Sequence, residues 1–191
     1  AAPLRAAACT KLARICRALP VFRGRTRAFL LLFTALGLKN RHLSINTVLD
    51  NPISFRAQLD PHSWLQRIAL LTGGYEPDTV TFLHGLWRGQ DSRGYVLDIG
   101  ANIGLISIPL ALMTRTETRM RPVVIAVEAV TDNCRMLGEN VALNGLASEI
   151  VVIGTALGDA AKSVDIQVEG DLAAGEGTGT ANILPDDSDY V

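Results

Sequence analysis

The chain has 191 residues, a formal net charge of −1 and an ordinary globular composition. This length fits one domain or slightly more, and the near-balance of charge gives no overall electrostatic case for binding nucleic acid or a membrane surface. No apolar run approaches the roughly 18–20 residues that a membrane span needs. Three cysteines, an odd number without metal-ligand spacing, predict reduced thiols and a cytoplasmic protein.

The N-terminal part is strongly basic, since residues 1–42 contain nine Lys and Arg and no Asp or Glu. Apolar residues recur at helical spacing from Leu4 to Leu19, which predicts an amphipathic helix that ends at Pro20. A second short helix is predicted from Thr26 to Leu38. Such a start is compatible with an organellar targeting segment and equally with a basic helix packed on the domain.

Residues 44–90 predict a hairpin followed by two helices. Apolar residues alternate from Ile45 to Leu49 and from Ile53 to Leu59, with a turn between them. Helices are expected after Asp60 and after Glu76, and they end at Gly73-Gly74 and Gly89. His42, His62 and His84 lack a second ligand one helical turn away, so we expect surface or cap residues and no metal site.

The stretch from Tyr95 to Leu112 predicts a strand, a glycine turn and a helix. The short apolar run at Tyr95–Leu97 is typical of a buried parallel strand, and Asp98 follows where that strand ends. Gly100 and Gly104 complete the spacing Asp-x-Gly-x-x-x-Gly. Helical spacing begins at Gly104, and Pro109 is expected to kink that helix or loosen its first turns. In such α/β units the ligand lies at the carboxyl ends of the strands.

The charge of this turn indicates the class of ligand. A dinucleotide turn, Gly-x-Gly-x-x-Gly, offers backbone N–H groups to a pyrophosphate, whereas the Asp98 carboxylate would repel a phosphate. S-adenosylmethionine has no phosphate and carries a sulfonium and an ammonium group. The next predicted strand, Val123–Val127, ends in Glu128, which is placed to accept the ribose hydroxyls.

The remaining elements extend the same sheet and then leave it. A helix from Asp132 to Leu143 is closed by Asn144-Gly145, and a third strand follows at Ile150–Ile153. The three strands should be parallel, in the order third, second, first. Val164 to Val168 and Ala181 to Leu184 predict an antiparallel excursion around the Gly-rich segment Gly170–Thr180.

The run Val96-Leu97-Asp98-Ile99-Gly100-Ala101-Asn102-Ile103-Gly104 resembles the first motif of class I S-adenosylmethionine-dependent methyltransferases, and of the FkbM-type family in particular. Further similar pieces follow in register: Gly74-Tyr75-Glu76, Ala126-Val127-Glu128, Glu139-Asn140 with Leu143-Asn144-Gly145, and Ala156-Leu157-Gly158-Asp159. The similarity covers roughly residues 60–184. It implies an α/β fold, a Rossmann-like sheet that is incomplete, with three parallel strands plus a hairpin after a mainly helical N-terminal region.

The resemblance also implies the cofactor site. Asp98, Gly100, Ala101, Asn102 and Gly104 would surround the methionyl part of S-adenosylmethionine, with glycine allowing close backbone approach. Glu128 would hold the ribose, Ala156 and Leu157 would flank the adenine, Asp159 would lie nearby, and Glu76 could position the amino-acid end. For Glu76 an ordinary role as a first-turn helix acid is kept as an alternative.

The implied reaction is methyl transfer to an oxygen of a sugar or small molecule, with no nucleic-acid partner expected. The family's fourth strand carries a Lys-Ile-Asp-like motif, and Asp165–Gly170 arrives too soon after the third strand to be that strand. We therefore expect residues 91–191 to be the N-terminal half of the domain, preceded by a basic segment (1–43) and a hairpin-and-helix segment (44–90). Alone it should bind the donor weakly, without turnover, and no catalytic base is assigned.

Two alternatives come from other classes. A non-catalytic module derived from a methyltransferase would bind a partner through its exposed sheet edge. A nicotinamide-dependent oxidoreductase would need glycine where this chain has Asn102.

Overall fold

The computed structural model describes residues 2–20, 22–38, 43–88, 94–115, 123–160, 163, 165–168 and 181–183. The elements are α1 (Ala2–Ala18), α2 (Arg25–Ala35), β1 (Ile45–Leu49), β2 (Phe55–Leu59), α3 (Trp64–Thr72), α4 (Pro77–Arg88), β3 (Tyr95–Ile99), α5 (Ser107–Arg115), β4 (Val123–Val127), α6 (Thr131–Leu143), β5 (Ile150–Ile153), β6 (Ile166–Val168) and β7 (Ala181–Ile183).

The central sheet contains three parallel strands in the order β3-β4-β5. Leu97, Ile125 and Val151 lie in one row across it, so their side chains share a face. The predicted strand order is therefore confirmed. A mainly helical N-terminal region precedes this Rossmann-like α/β sheet, and an antiparallel hairpin follows it.

The two faces of this sheet differ in exposure. Val124 and Ala126 are fully buried on the face that α5 and α6 cover. Tyr95, Leu97 and Ile99 alternate with them across the pleat and are 74%, 56% and 63% exposed. The prediction of a buried strand is thus wrong for Tyr95 and Leu97, because both helices pack on the opposite face.

The N-terminal helices pack on each other and on α3, and α1 also contacts β1. Cys9, Ala13 and Cys16 form the buried face of α1, and Phe29 and Phe33 form that of α2. Burial raises the pKa of the Cys9 thiol to about 11, with Asp60 adding to the effect, so this thiol stays protonated at neutral pH. The basic N-terminus accordingly forms a helix packed on the domain, and targeting stays an untested alternative.

Most predicted boundaries agree with the structure to within a few residues. α5 begins at Ser107 and not at Gly104, so Pro109 lies in its first turn, where a missing N–H costs little, and the expected kink or loosening stays a prediction. The surface prediction for His84 is wrong, since that side chain is 8% exposed on the inner face of α4. His42 lies outside the described residues.

The tail forms the predicted antiparallel pair. Ile166 lies opposite Ile183, and Val168 lies opposite Ala181. The Gly-rich segment 170–180 lies outside the described residues. Across the described ranges, no helix combines the length and apolar character that crossing a membrane would require.

The Gly73-Gly74 turn fixes the hairpin to α3, and it yields a stability prediction. Asp50 N–H and Asn51 N–H both donate to the Gly73 carbonyl, at 2.9 and 3.2 Å. A Cβ at position 74 would lie 2.0 Å from the Asn51 carbonyl oxygen. We expect Gly74→Ala to lower the free energy of unfolding by roughly 1–3 kcal/mol in urea denaturation, because backbone must move.

Gly85→Ala is the matched control for this prediction. Nothing lies within 4 Å of a Cβ at position 85, which is exposed inside α4. Removing a helical glycine there should stabilise the chain by about 0.5–1 kcal/mol. Equal effects at the two positions would contradict the close packing of the 73–74 turn on the hairpin.

Candidate functional site

The glycine turn at the end of β3 is fastened to the neighbouring strand. Gly100 N–H and Ala101 N–H both donate to the Val127 carbonyl, at 2.9 and 3.0 Å. Gly100 has φ of 78°, a conformation that favours glycine, and a Cβ there would meet nothing within 4 Å. The turn is therefore held against the carboxyl end of β4 and is open on the Gly100 side.

Asn102 has φ of 51°, a left-handed conformation that Asn tolerates better than most residues. Its side-chain Oδ1 accepts a hydrogen bond from Ile103 N–H at 2.9 Å. Its own N–H donates to Glu128 Oε2 at 2.8 Å. The backbone N–H at position 102 thus bonds the turn to the Glu128 carboxylate.

Glu128 stands at the end of β4 and is 6% exposed. Its Oε2 accepts from Asn102, while Oε1 accepts from Val130 N–H at 2.9 Å and from Asn133 Nδ2 at 3.5 Å. The carboxylate therefore joins the glycine turn to the start of α6. Each carboxylate oxygen has two lone-pair sites, which leaves acceptor capacity for a further partner.

Asp98 lies on the covered face of β3 and accepts a hydrogen bond from the Ser107 hydroxyl. Burial raises the pKa of Asp98; the Ser107 hydrogen bond lowers that pKa, and the negative charge of Glu128 raises it again. The two carboxylates thus repel each other across the glycine turn. This end of the sheet favours a positively charged ligand.

The structure gives a different reason for glycine at position 104. Its φ is 91°, and a Cβ there would lie 2.7 Å from Leu137 Cδ1 and 2.8 Å from Ile108 Cδ1. Gly104 is buried where the turn packs on α5 and α6. The packing of these side chains, in addition to the backbone conformation, therefore accounts for this glycine.

The other predicted residues lie farther along the same edge or at α4. Ala156 is half-buried, and Leu157 and Asp159 are exposed, in the segment after β5. Because β3, β4 and β5 are parallel neighbours, the turn, Glu128 and this segment follow one another along the carboxyl edge. Glu76 precedes α4 with φ of 43°, is exposed, and accepts from Thr79 Oγ1 at 3.2 Å.

Sequence reasoning did not assign roles to Ser107 and Asn133. Ser107 is fully buried and Asn133 is 3% exposed, and they contact Asp98 and Glu128 respectively. The sequence signal for them was a polar residue in the first turn of each helix that follows a strand of the site. Within the ranges that the structure describes, no group of three or more His, Cys, Asp or Glu could hold a metal ion.

The solved structures that are similar to this chain include three proteins with the following matches. A SAM-dependent methyltransferase from Agrobacterium tumefaciens shares 19% identity at a TM-score of 0.40, over 56% of this chain and 31% of that protein. A Pyrococcus horikoshii protein described as a transferase shares 17% identity at a TM-score of 0.37, over 70% and 48%. P. horikoshii TYW2, in complex with MeSAdo, shares 18% identity at a TM-score of 0.38, over 66% and 46%.

The chain thus spans between about a third and a half of the length of these three proteins. Comparison with models of protein families finds no match, and comparison with curated protein sequences finds none either.

Proposed function

We propose that this chain binds S-adenosylmethionine at the 100–104 turn and belongs to an enzyme that transfers its methyl group to a hydroxyl oxygen. The observation that carries the proposal is the pair of carboxylates, Asp98 and Glu128, at the ends of adjacent parallel strands. A cationic ligand would offset their mutual repulsion, whereas a phosphate would bring a further negative charge that both carboxylates repel. The Asp98 carboxyl and the open Gly100 side fit the charged amino-acid and sulfonium part of the donor.

The adenosyl part would lie along the same edge of the sheet. Glu128 would accept a ribose hydroxyl with the lone-pair site that its hydrogen bonds to Asn102, Val130 and Asn133 leave free. Ala156 and Leu157 would flank the adenine with apolar surface, and Asp159 lies in the same segment. For Glu76, its position at the start of α4 supports a role at the amino-acid end as much as a local helix-start role.

When bound, the donor supplies an electrophilic methyl group on a good leaving group. The chain's own residues would act by holding that group in one orientation, since alignment of reacting atoms can supply several kcal/mol. The rigid fastening of the turn to Val127 and Glu128 supports this role. The acceptor, a sugar or small-molecule hydroxyl, and the FkbM-type subfamily are proposed from the resemblance alone, and a general base is not assigned.

Isothermal titration calorimetry of this chain with S-adenosylmethionine and with NAD tests the proposal. We expect a saturable heat with the first ligand and none with NAD, because a pyrophosphate would meet the two carboxylates. S-adenosylhomocysteine, which lacks the sulfonium charge, should bind through the remaining contacts. Binding of NAD with no binding of S-adenosylmethionine would overturn the proposal in favour of a nicotinamide-dependent enzyme.

A second candidate function, a non-catalytic interaction module, is favoured by the exposed apolar face of β3. Tyr95, Leu97 and Ile99 are all more than half exposed on one side of the sheet. This function predicts self-association in size-exclusion chromatography with light scattering, with Leu97→Glu shifting the chain to monomer. A wild-type chain that is monomeric at high micromolar concentration would exclude association with a second copy through this face.

A further inference from the structure

Two asparagines at the C-terminal end of α6, Asn140 in its last turn and Asn144 directly after it, pair with the outer edge of β2. Asn140 Oδ1 accepts from Gln58 N–H at 2.7 Å, and its Nδ2 donates to the Gln58 carbonyl at 3.3 Å. Asn144 Oδ1 accepts from Arg56 N–H at 2.8 Å, and its Nδ2 donates to the Arg56 carbonyl at 2.7 Å. The two side chains therefore occupy the hydrogen-bonding edge of β2 as a third strand would.

Asn140 makes one contact that Asn144 does not. Its Nδ2 also donates to the Ile103 carbonyl, at 3.0 Å, inside the glycine turn. The second donor bond of Asn144 goes to the Asn140 carbonyl of its own helix, at 2.8 Å. Asn140 is fully buried and uses both amide hydrogens and its oxygen, so a single side chain holds both the hairpin and the turn.

We infer that Asn140 is a positioning residue of the donor site, which fixes the 100–104 turn through the Ile103 carbonyl and couples that turn to the β1–β2 hairpin. For the identity of the ligand this rests on the proposed function. Ile103 lies between Asn102, which bonds to Glu128, and Gly104, which packs on Leu137. The hairpin, α6 and the 100–104 turn thus form one hydrogen-bonded unit. Within the Glu-Asn…Asn-Gly run, Asn140 and Asn144 make the bonds to the hairpin.

Asn140→Asp keeps one of the three hydrogen bonds that the Asn140 side chain makes and removes the other two. One carboxylate oxygen can still accept from Gln58 N–H, whereas the other has no hydrogen to donate and faces the Gln58 and Ile103 carbonyls. Asn144→Asp is the matched control, because it loses equivalent donor bonds to Arg56 and Asn140 without touching the turn. Each variant adds one negative charge at the C-terminal end of α6, at the fully buried Asn140 or at the half-buried Asn144.

Hydrogen exchange measured without ligand gives a readout that a merely structural role would not produce. We expect amide exchange at residues 100–104 to rise about tenfold in Asn140→Asp and to stay near the wild-type rate in Asn144→Asp, while both variants raise exchange in the hairpin. Lowering the pH should restore protection of the turn in Asn140→Asp, since a protonated carboxyl can donate to a carbonyl. Equal exchange of the turn in the two variants would overturn the inference.

Titration with S-adenosylmethionine then connects the turn to donor binding. We expect about tenfold weaker affinity for Asn140→Asp and less than threefold for Asn144→Asp. If wild type does not bind the donor, the proposed function fails while the exchange experiment still decides the coupling. If wild type binds and Asn140→Asp binds equally well, the positioning role alone is wrong. Should Asn140→Asp not fold, Asn140→Ala, which buries no charge, is measured in the same way.

Discussion

Replacing Asp98 with Asn is expected to abolish most donor binding without lowering stability. Asn keeps an oxygen for the Ser107 hydroxyl, but it removes the negative charge that would face the cationic part of the donor in the proposed site. Hydrogen bonds to a charged group contribute about 1.5–3 kcal/mol, so the dissociation constant for S-adenosylmethionine should rise roughly 10- to 100-fold. Calorimetry measures this change directly.

The stability part of this prediction follows from the sign of the pKa shift. Burial and the Glu128 charge raise the pKa of Asp98 above its ordinary value, so the folded chain holds this proton more tightly than the unfolded chain. The stability that this protonated group contributes is present at low pH and is lost as the pH rises through the folded-state pKa. At pH 7 Asp98→Asn should therefore unfold at the same or higher urea concentration than wild type, and the difference should disappear once the pH falls below the ordinary pKa of an Asp carboxyl.

Asp132→Asn is the matched control for Asp98→Asn. It removes one negative charge from an exposed position in the first turn of α6, where the side chain is 79% exposed. Donor affinity should stay within about twofold of wild type, because an exposed charge is screened by solvent. A loss of affinity that is as large at position 132 as at 98 would mean that net charge, and not the site, governs binding.

Replacing Glu128 with Gln is expected to lower both donor affinity and stability. The two carboxylate oxygens accept Asn102 N–H and Val130 N–H, at 2.8 and 2.9 Å, and Gln can satisfy one of them while its NH₂ group faces the other. Leaving a buried N–H without an acceptor costs about 1–3 kcal/mol. Urea denaturation should show that loss, and calorimetry should show a parallel loss of S-adenosylmethionine affinity.

Glu139→Gln provides the same chemical change at a surface position. Glu139 pairs with Arg135 one helical turn earlier on α6, and both side chains are more than a third exposed. Loss of that ion pair should change the free energy of unfolding by about 0.5 kcal/mol or less. A Glu128→Gln protein as stable as Glu139→Gln would show that the Glu128 carboxylate does not hold the turn and α6 together.

The contrast between Asp98→Asn and Glu128→Gln distinguishes a ligand-binding carboxylate from one that also supports the fold. Asp98 has a raised pKa and one described side-chain donor, Ser107. Its negative charge therefore destabilises the folded chain, and a cationic ligand would offset that destabilisation. Glu128 is buried, and its carboxylate accepts hydrogen bonds from two backbone N–H groups. If both variants lost stability equally, the carboxylate pair would be a structural feature of the turn.

The sequence by itself determined the strands, most helix boundaries and the candidate turn. Short apolar runs bounded by Gly, Pro or an acidic residue marked β3, β4 and β5, because parallel strands and the turns beside them have a local composition. The pattern Asp98-x-Gly100-x-x-x-Gly104 and the acid at 128 located the strand ends that bear charge. These features depend on the spacing of residues along the chain, which the sequence gives directly.

The tertiary structure alone decided how those residues are used. Asn140 lies 37 positions from Ile103 and 82 from Gln58, and no local pattern pairs them. The packing of Gly104 against Leu137, the burial of Ser107 beside Asp98 and the exposure of Tyr95 and Leu97 likewise depend on which face of the sheet α5 and α6 cover. Helical and alternating periods show that an element has a buried face, whereas the neighbour that buries it is set by contacts between distant segments.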